Sequence, residues 1–334
     1  MSKVGPFFQK YGVLVAFGLL FVFNALWQPG LFLKPENLRN LLNQNAAVGI
    51  VAVGMTIVII GGGIDLSVGS LMAVSAALAV HTLNVAIGNG ASEMNAVLIA
   101  SGVCIVTAGL GGLANGLLVT LGRVTPFIAT LAGLVGYRSL ALVIAEGGEI
   151  RSLSPNVFPA IGQTGLKLPF VTNANGRPLE LNWPIFGFLV VGLIGGVLLN
   201  RSVFGRNVVA VGASEQAAYL AGVKTGRVKL MTYVLVGLFA GVAALGVAGR
   251  MNSVAASQVG LYYELDAIAA VAIGGTSMSG GYGRIWGTVI GVLIIGIIAN
   301  MLVGLGVSPY WQGLVKGLII LVAVLIQRGQ SERS

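Results

Sequence analysis

The chain has little of what most catalytic chemistry needs. Its 334 residues include one cysteine and one histidine. Cys104 falls inside an apolar block, so no disulfide can form within the chain, which argues against redox chemistry. His81, alone near the outer end of an apolar run, reads as an interfacial or satisfied residue rather than a ligand or proton relay. The sequence has no His/Cys cluster at metal-ligand spacing, no paired acid and base, and no G-x-x-x-x-G-K-[ST] phosphate loop. It therefore offers no catalytic residue, no metal ligand and no cofactor site of its own.

Charge is scarce as well. Only 9% of residues are charged and 56% are hydrophobic, against roughly 25% charged in soluble domains. That excludes an ordinary soluble fold and makes the apolar run of about 20 residues the unit to count. The formal charge of +9 would point to nucleic acid in a soluble protein. Here the basic residues lie in short links between apolar blocks, so they set orientation, and no nucleic-acid partner is expected. Glycine is what abounds: 51 residues, about twice the usual frequency, suit helices packed backbone to backbone in lipid.

Lys3 and Lys10 precede an uncharged run, 11–33, without a small-residue cleavage signal, which predicts a retained first span. Its helix, within 11–27, ends near Pro29 and Gly30. A second run, 40–64, carries Asn40, Asn43, Gln44 and Asn45 in its first turns. Such side chains cross-link helices or line a wet path, and for any one of them the cross-link is the plainer reading.

At 61–70 the pattern becomes GGGIDLSVGS. Backbone of this kind at membrane depth must be buried in protein or line a cavity, because unpaired groups facing lipid cost several kcal/mol each. Asp65 is an intramembrane acid and so a functional candidate, although a cap on the helix that follows, from Asp65 or Ser67, is favoured over solute contact. A third span runs to about 87. The fourth, 94–122, contains the tight-packing GLGGLANG at 109–116, and Pro126 opens the fifth. Arg138 interrupts that helix, with Glu146 and Glu149 as possible partners. Residues 146–183, with four prolines, read as an external loop with one amphipathic piece.

A sixth span, 184–199, leads to a polar hairpin at 200–229 that holds Arg201, Arg206, Lys224, Arg227 and Lys229 against Glu215 alone, the signature of a cytoplasmic link. Within it, 213–221 reads as a two-turn helix with Ala213, Ala217, Leu220 and Ala221 on one face, Gly212 before it and Gly222 after it. So short a helix needs something to pack against. A further span, 230–249, leads out, and 250–264 reads as an external connection. Then 266–273 runs, as a short span or a re-entrant helix, into IGGTSMSGGYGRIWGTVIG at 273–291. Spans at 285–303 and 309–327 follow, the latter containing Lys316. The Gly-Gly-x-x-x-Ser echo between the two glycine motifs, and Ala-Asn at 114 and 299 ahead of a Val-Thr/Ser-Pro-aromatic turn, indicate a diverged internal repeat.

The expected architecture is an all-α integral membrane protein, one domain over 1–334, with about ten transmembrane helices and short or re-entrant helices at the glycine-rich motifs. Both ends are expected in the cytoplasm. Lys3, Lys10, Arg123, Arg201, Arg206, Lys224, Arg227, Lys229, Arg284, Arg328 and Arg333 fall inside, and Lys34, Arg39, Arg151, Lys167, Arg177 and Arg250 outside. An uncharged path lined by Asn, Ser, Thr and Gly suits a polar neutral solute, with Asp65 and Asp266 as the acids available to couple an ion.

Four motifs in order, GGGIDLSVGS (61–70), ANGLLVTLGRVTPFIATLA (114–132), GRNVVAVGASEQAAYLAGV (205–223) and AIGGTSMSGGYGRIWGTVIG (272–291), resemble the ribose-type sugar permeases of bacterial ABC importers. These belong to the wider family of branched-chain amino acid permeases, and the similarity spans about 38–329. The resemblance implies a multi-pass bacterial inner-membrane subunit for a monosaccharide that works as a pair, with a cytoplasmic ATPase holding ATP and Mg and an extracytoplasmic sugar-binding protein. It implies that Gly212, Ala213, Glu215, Ala217, Ala218, Leu220, Ala221 and Gly222 form the coupling helix. By the resemblance the glycine-rich motifs map to parts lining or gating the path, while individual contact residues do not follow from the match; the candidates along the path or gate are Asn43, Asn45, Gly62, Asp65, Ser67, Asn115, Gly274, Gly275, Thr276, Ser277 and Asn300. An ion-coupled secondary transporter and a pathway-free structural subunit are the alternatives from other classes.

Overall fold

The computed structural model describes residues 4–172, 176, 178–308, 311–315, 317, 318 and 321, with backbone alone for 4–10. It is 74% helical. The chain runs α1 (Val4–Trp27), α2 (Pro29–Phe32), α3 (Pro35–Ile60), α4 (Val68–Gly88), α5 (Glu93–Thr120), α6 (Pro126–Ile144), β1 (Glu149–Arg151), α7 (Val157–Gln163), β2 (Gly165–Thr172) and β3 (Pro178–Asn182). It continues with α8 (Trp183–Arg201), α9 (Val203–Ala213), α10 (Glu215–Leu220), α11 (Thr225–Met251), β4 (Ser253–Ala255), α12 (Tyr263–Ile273) and α13 (Ile285–Gly304).

Local chemistry sets the helix starts. Pro35, Pro126 and Pro184 occupy first-turn positions, where the missing N–H costs nothing. Ser92, Ser202 and Ser214 accept backbone N–H groups at the starts of α5, α9 and α10. Among the described residues, seven helices are long and apolar enough to cross a membrane: α3, α4, α5, α6, α8, α11 and α13. The expected ten is approached by adding α1, the short α12, and the last span at 309–327, whose described residues are helical. Lys3, Lys316, Arg177, Arg328 and Arg333 lie outside the described residues.

The bundle is built around α3. Of its most apolar stretch 83% is buried, whereas α6 buries 17% and α8 28% and so form the periphery. The glycines of 109–116 do pack tightly, with Gly112 against Gly237 and the Tyr233 carbonyl of α11, so that α5 and α11 meet at backbone distance.

Three expectations need correction. The 146–183 segment is more than a loop. It contains α7, an antiparallel β2–β3 hairpin in which Leu168 faces Leu179, and β1, which pairs with β4 so that Glu149, Ile150 and Arg151 oppose Ala255, Val254 and Ser253. Pairing a hundred residues apart has no local sequence signal. Glu93 then pins this face, accepting from the Ser154 hydroxyl and from the Asn156 (2.8 Å) and Val157 (2.6 Å) N–H groups at the start of α7.

Second, 250–264 is more than an external connection. After β4 the chain dips into the bundle, where Ala256, Val259 and Gly260 are buried and the Gly260 carbonyl lies against Gly69 of α4. Third, Arg138 reaches neither Glu146 nor Glu149. Its Nη1 donates to the Ala256 and Val259 carbonyls, at 2.7 and 2.8 Å, supplying the donors that this non-helical stretch cannot find within itself.

Candidate translocation and coupling site

A group of buried polar residues lies at the break between α3 and α4. α3 stops at Gly61, and Gly62 takes a positive φ of 77°. The chain then crosses to α4 through Asp65, which is fully buried. One carboxylate oxygen, Oδ1, accepts the Ser67 N–H at 2.8 Å and the Ser67 hydroxyl at 2.7 Å, an Asx-type turn ahead of α4; Ser67 holds the N-cap position, but neither side chain accepts an N–H of the helix's first turn, so the capping reading is corrected. Asn115 of α5 donates to the Ser67 oxygen at 2.7 Å, and Tyr137 of α6 donates to the Asn115 carbonyl oxygen at 3.1 Å. From α11, the Tyr233 hydroxyl donates to the Ile64 carbonyl at 3.2 Å. Asp65, Ser67 and Asn115 therefore form one network joining the start of α4 to α5 and α6, with Tyr233 of α11 holding the adjacent backbone and Asp65 Oδ2 left as a buried oxygen without a partner among the described residues.

Other candidates fall elsewhere. Asn300 exchanges amide bonds of 2.8 and 3.2 Å with Asn37, clasping α13 to the start of α3. Asn45 donates to the Leu41 carbonyl within its own helix and packs on Gly296. Asn43 lines a cleft of about 10 Å³, with Gln44, Ala47, Pro184, Gly246, Val247 and Arg250, that has room for one water. These three asparagines are near the end of the bundle that carries β1 and β4. Asn115 and Asn300, paired by the internal repeat, thus bond to unrelated partners.

The second glycine motif closes on the first. Gly274 lies against Gly287, Gly275 has a φ of 80°, Thr276 is buried, and the Ser277 N–H donates to the Tyr282 carbonyl at 2.9 Å. The loop beyond reaches back to α3, where the Gly281 N–H donates to the Ile60 carbonyl at 2.9 Å. Into this contact comes Gly212, near the end of α9. A Cβ on Gly212 would overlap the Ile60 carbonyl oxygen and stand 2.7 Å from the Gly281 nitrogen, and one on Gly280 would stand 2.9 Å from the Gly212 carbonyl oxygen and 3.2 Å from the Gly62 Cα. Three sequence motifs, read separately, share one backbone junction.

The junction also revises the hairpin. The expected 213–221 helix is two elements: α9 ends at Ala213, and Ser214 caps a six-residue α10 by accepting the Ala217 N–H at 3.2 Å. An N-cap needs an extended backbone, which Ser214 adopts at φ −162°, and this breaks the helix where periodicity alone would continue it. Gly222 ends α10 at a φ of 84°, as expected. Glu215 pairs with Lys229 of α11, and Ala218 packs inward, while Ala213, Ala217, Leu220, Ala221 and the neighbouring Tyr219 are exposed.

A bundle of membrane-crossing helices, broken at its centre by a buried polar network and capped at one end by a basic hairpin locked to both breaks, defines a transport permease rather than an anchor. The chain belongs to the family described as branched-chain amino acid transport system / permease component, whose pattern matches residues 37–324. It is 42% identical to the ribose import permease protein RbsC of Bacillus subtilis, over 99% of this chain and 94% of that one. It is 37% identical to RbsC of Escherichia coli K12 (94% and 92%) and 36% identical to the galactose/methyl galactoside import permease protein MglC of the same strain (96% and 94%). No solved structure matches the chain.

Proposed function

We propose that this chain is the translocation subunit of a bacterial ABC importer for a monosaccharide of the pentose or hexose type, moved by a separate ATPase. The observation that carries the reading is the outer face of α10. Leu220 is 78% and Tyr219 69% exposed on a helix too short to stand alone, on the hairpin richest in basic residues. Such a face fits the groove of a soluble partner. The relatives named for ribose, galactose and arabinose import support the solute class.

In this reading the hairpin end is cytoplasmic, as are both termini, in the bacterial inner membrane. Two copies of the chain stand side by side, and an extracytoplasmic sugar-binding protein docks on the face built from β1, β4, α7 and the β2–β3 hairpin. ATP binding draws two ATPase domains together and with them the two α10 helices. Through the junction at Gly212, each pulls the loops on either side of the polar network, and the bundle opens to the opposite side.

Ala217→Asp places a charge on the exposed stripe without touching the body of the protein. In a reconstituted complex with its ATPase and binding protein, it should cut sugar-stimulated ATP hydrolysis at least tenfold while leaving membrane insertion intact. Unchanged stimulation would remove α10 from the coupling role.

A further inference from the structure

The break before α12 carries an unexplained surface. Asn84 near the outer end of α4 holds the Arg151 carbonyl at 2.8 Å and so marks the level of the β1–β4 face. Gly69, against which Gly260 rests, lies fifteen residues back along the same helix, about 22 Å deeper at ~1.5 Å per residue. The non-helical stretch 256–262 therefore descends from the β1–β4 face, where the Ala256 N–H meets the Gly148 carbonyl, to Gly260, which lies well inside a hydrocarbon layer of about 30 Å. Backbone of this kind is tolerated at depth only when it is buried in protein or lines water. Ala256, Val259 and Gly260 are buried, yet Ser257, Gln258, Leu261 and Tyr262 are exposed.

The exposed side mixes polar and apolar groups, with Ser257 and Gln258 next in the chain to Leu261 and Tyr262, where a purely lipid-facing surface would be apolar. Gln258 and Ser257 stand beside Tyr262, whose ring is 62% exposed and whose backbone is held at a positive φ of 64°, a conformation rare for an aromatic residue. Arg138 from α6 anchors the stretch through two carbonyls, and Glu264 lies behind it. Discontinuous helices at mid-depth are where transporters place their solute sites.

We propose that this strip is a wetted, solute-facing wall that recognises a polyhydroxylated ligand. The Tyr262 ring takes the C–H face of a sugar ring, and the Gln258 amide spans a pair of its hydroxyls. The assignment of a sugar rests on the reading under Proposed function; the wetting of the strip does not.

Thiol labelling separates the two. Cys104, the native thiol, is buried, so a cysteine introduced by Gln258→Cys or Tyr262→Cys reports on its own position. In the assembled transporter, both should react with a positively charged methanethiosulfonate at least tenfold faster than Leu193→Cys on the exposed face of α8. Labelling no faster than at Leu193→Cys would overturn the proposal, as would cross-linking of two Gln258→Cys copies to each other, which would place a second copy over the strip. Tyr262→Ala should in addition raise the KM for whichever of ribose, arabinose and galactose the parent protein takes up by more than tenfold, and an unchanged KM would remove the recognition role. A parent protein that moves none of these sugars would sink the functional reading, while the labelling rates would still decide the strip.

Discussion

Gly212→Ala is the sharpest perturbation of the junction. The added methyl would overlap the Ile60 carbonyl oxygen, and ordinary contact of ~3.4 Å is restored only if α3, α9 or the loop at 280–281 moves by more than an ångström. Overpacking of this kind costs about 1–3 kcal/mol. The movement would also break the Gly281 N–H bond to Ile60, worth about 0.5–1.5 kcal/mol. The sum, roughly 1.5–4.5 kcal/mol, corresponds to a shift of about 10- to 2,000-fold between the locked and released junction. The assay is thermal unfolding in detergent together with transport in the reconstituted complex. Gly226→Ala, on the same side of the bundle but with nothing near its Cβ, serves as the control and should change neither. Gly212→Ala should lower Tm by several degrees and at least halve the ratio of sugar moved to ATP hydrolysed. A variant indistinguishable from Gly226→Ala in both measurements would refute the idea that the three motifs are mechanically joined.

Further outcomes follow from the same contacts. Arg138→Leu leaves the Ala256 and Val259 carbonyls without a donor and should destabilise the protein by about 3–6 kcal/mol, at about 1.5–3 per charge-assisted bond; Arg138→Lys, a point charge without the guanidinium fork, should restore only part of that in the same melting assay. Asn115→Leu removes the amide between Ser67 and Tyr137 and should cost about 1–3 kcal/mol, read as a fall in the denaturation midpoint. Glu93→Gln weakens the hold on Asn156 and Val157, so limited proteolysis should cut faster within 152–163, and an unchanged cleavage rate would remove Glu93 as the pin of that face.

Membrane class and the general course of the helices were legible because lipid imposes a one-dimensional code of apolar runs and basic links. The first-turn prolines and the Gly222 stop were legible for the same reason, each being fixed by its own residue. What the sequence hid depends on contacts at a distance. Arg138 read as an anomaly until the dip at 256–259 supplied two carbonyls for it. The Asn300 amide meets Asn37, 263 positions away, a contact that no local pattern announces. Apolar spacing carried the expected helix across Ser214, since periodicity does not register where a backbone turns extended. The glycine motifs were each recognisable, and only the fold places Gly62, Gly212 and Gly281 together.

The central claim is that this polypeptide holds no motor and is driven from outside through α10. The direct measurement is uptake of labelled ribose, arabinose and galactose into sealed proteoliposomes, with and without the companion ATPase, its ATP and the sugar-binding protein. The account predicts accumulation of at least one sugar only when all are present, and none on a proton or sodium gradient with the permease alone. Concentrative uptake by the lone permease on an ion gradient would contradict it.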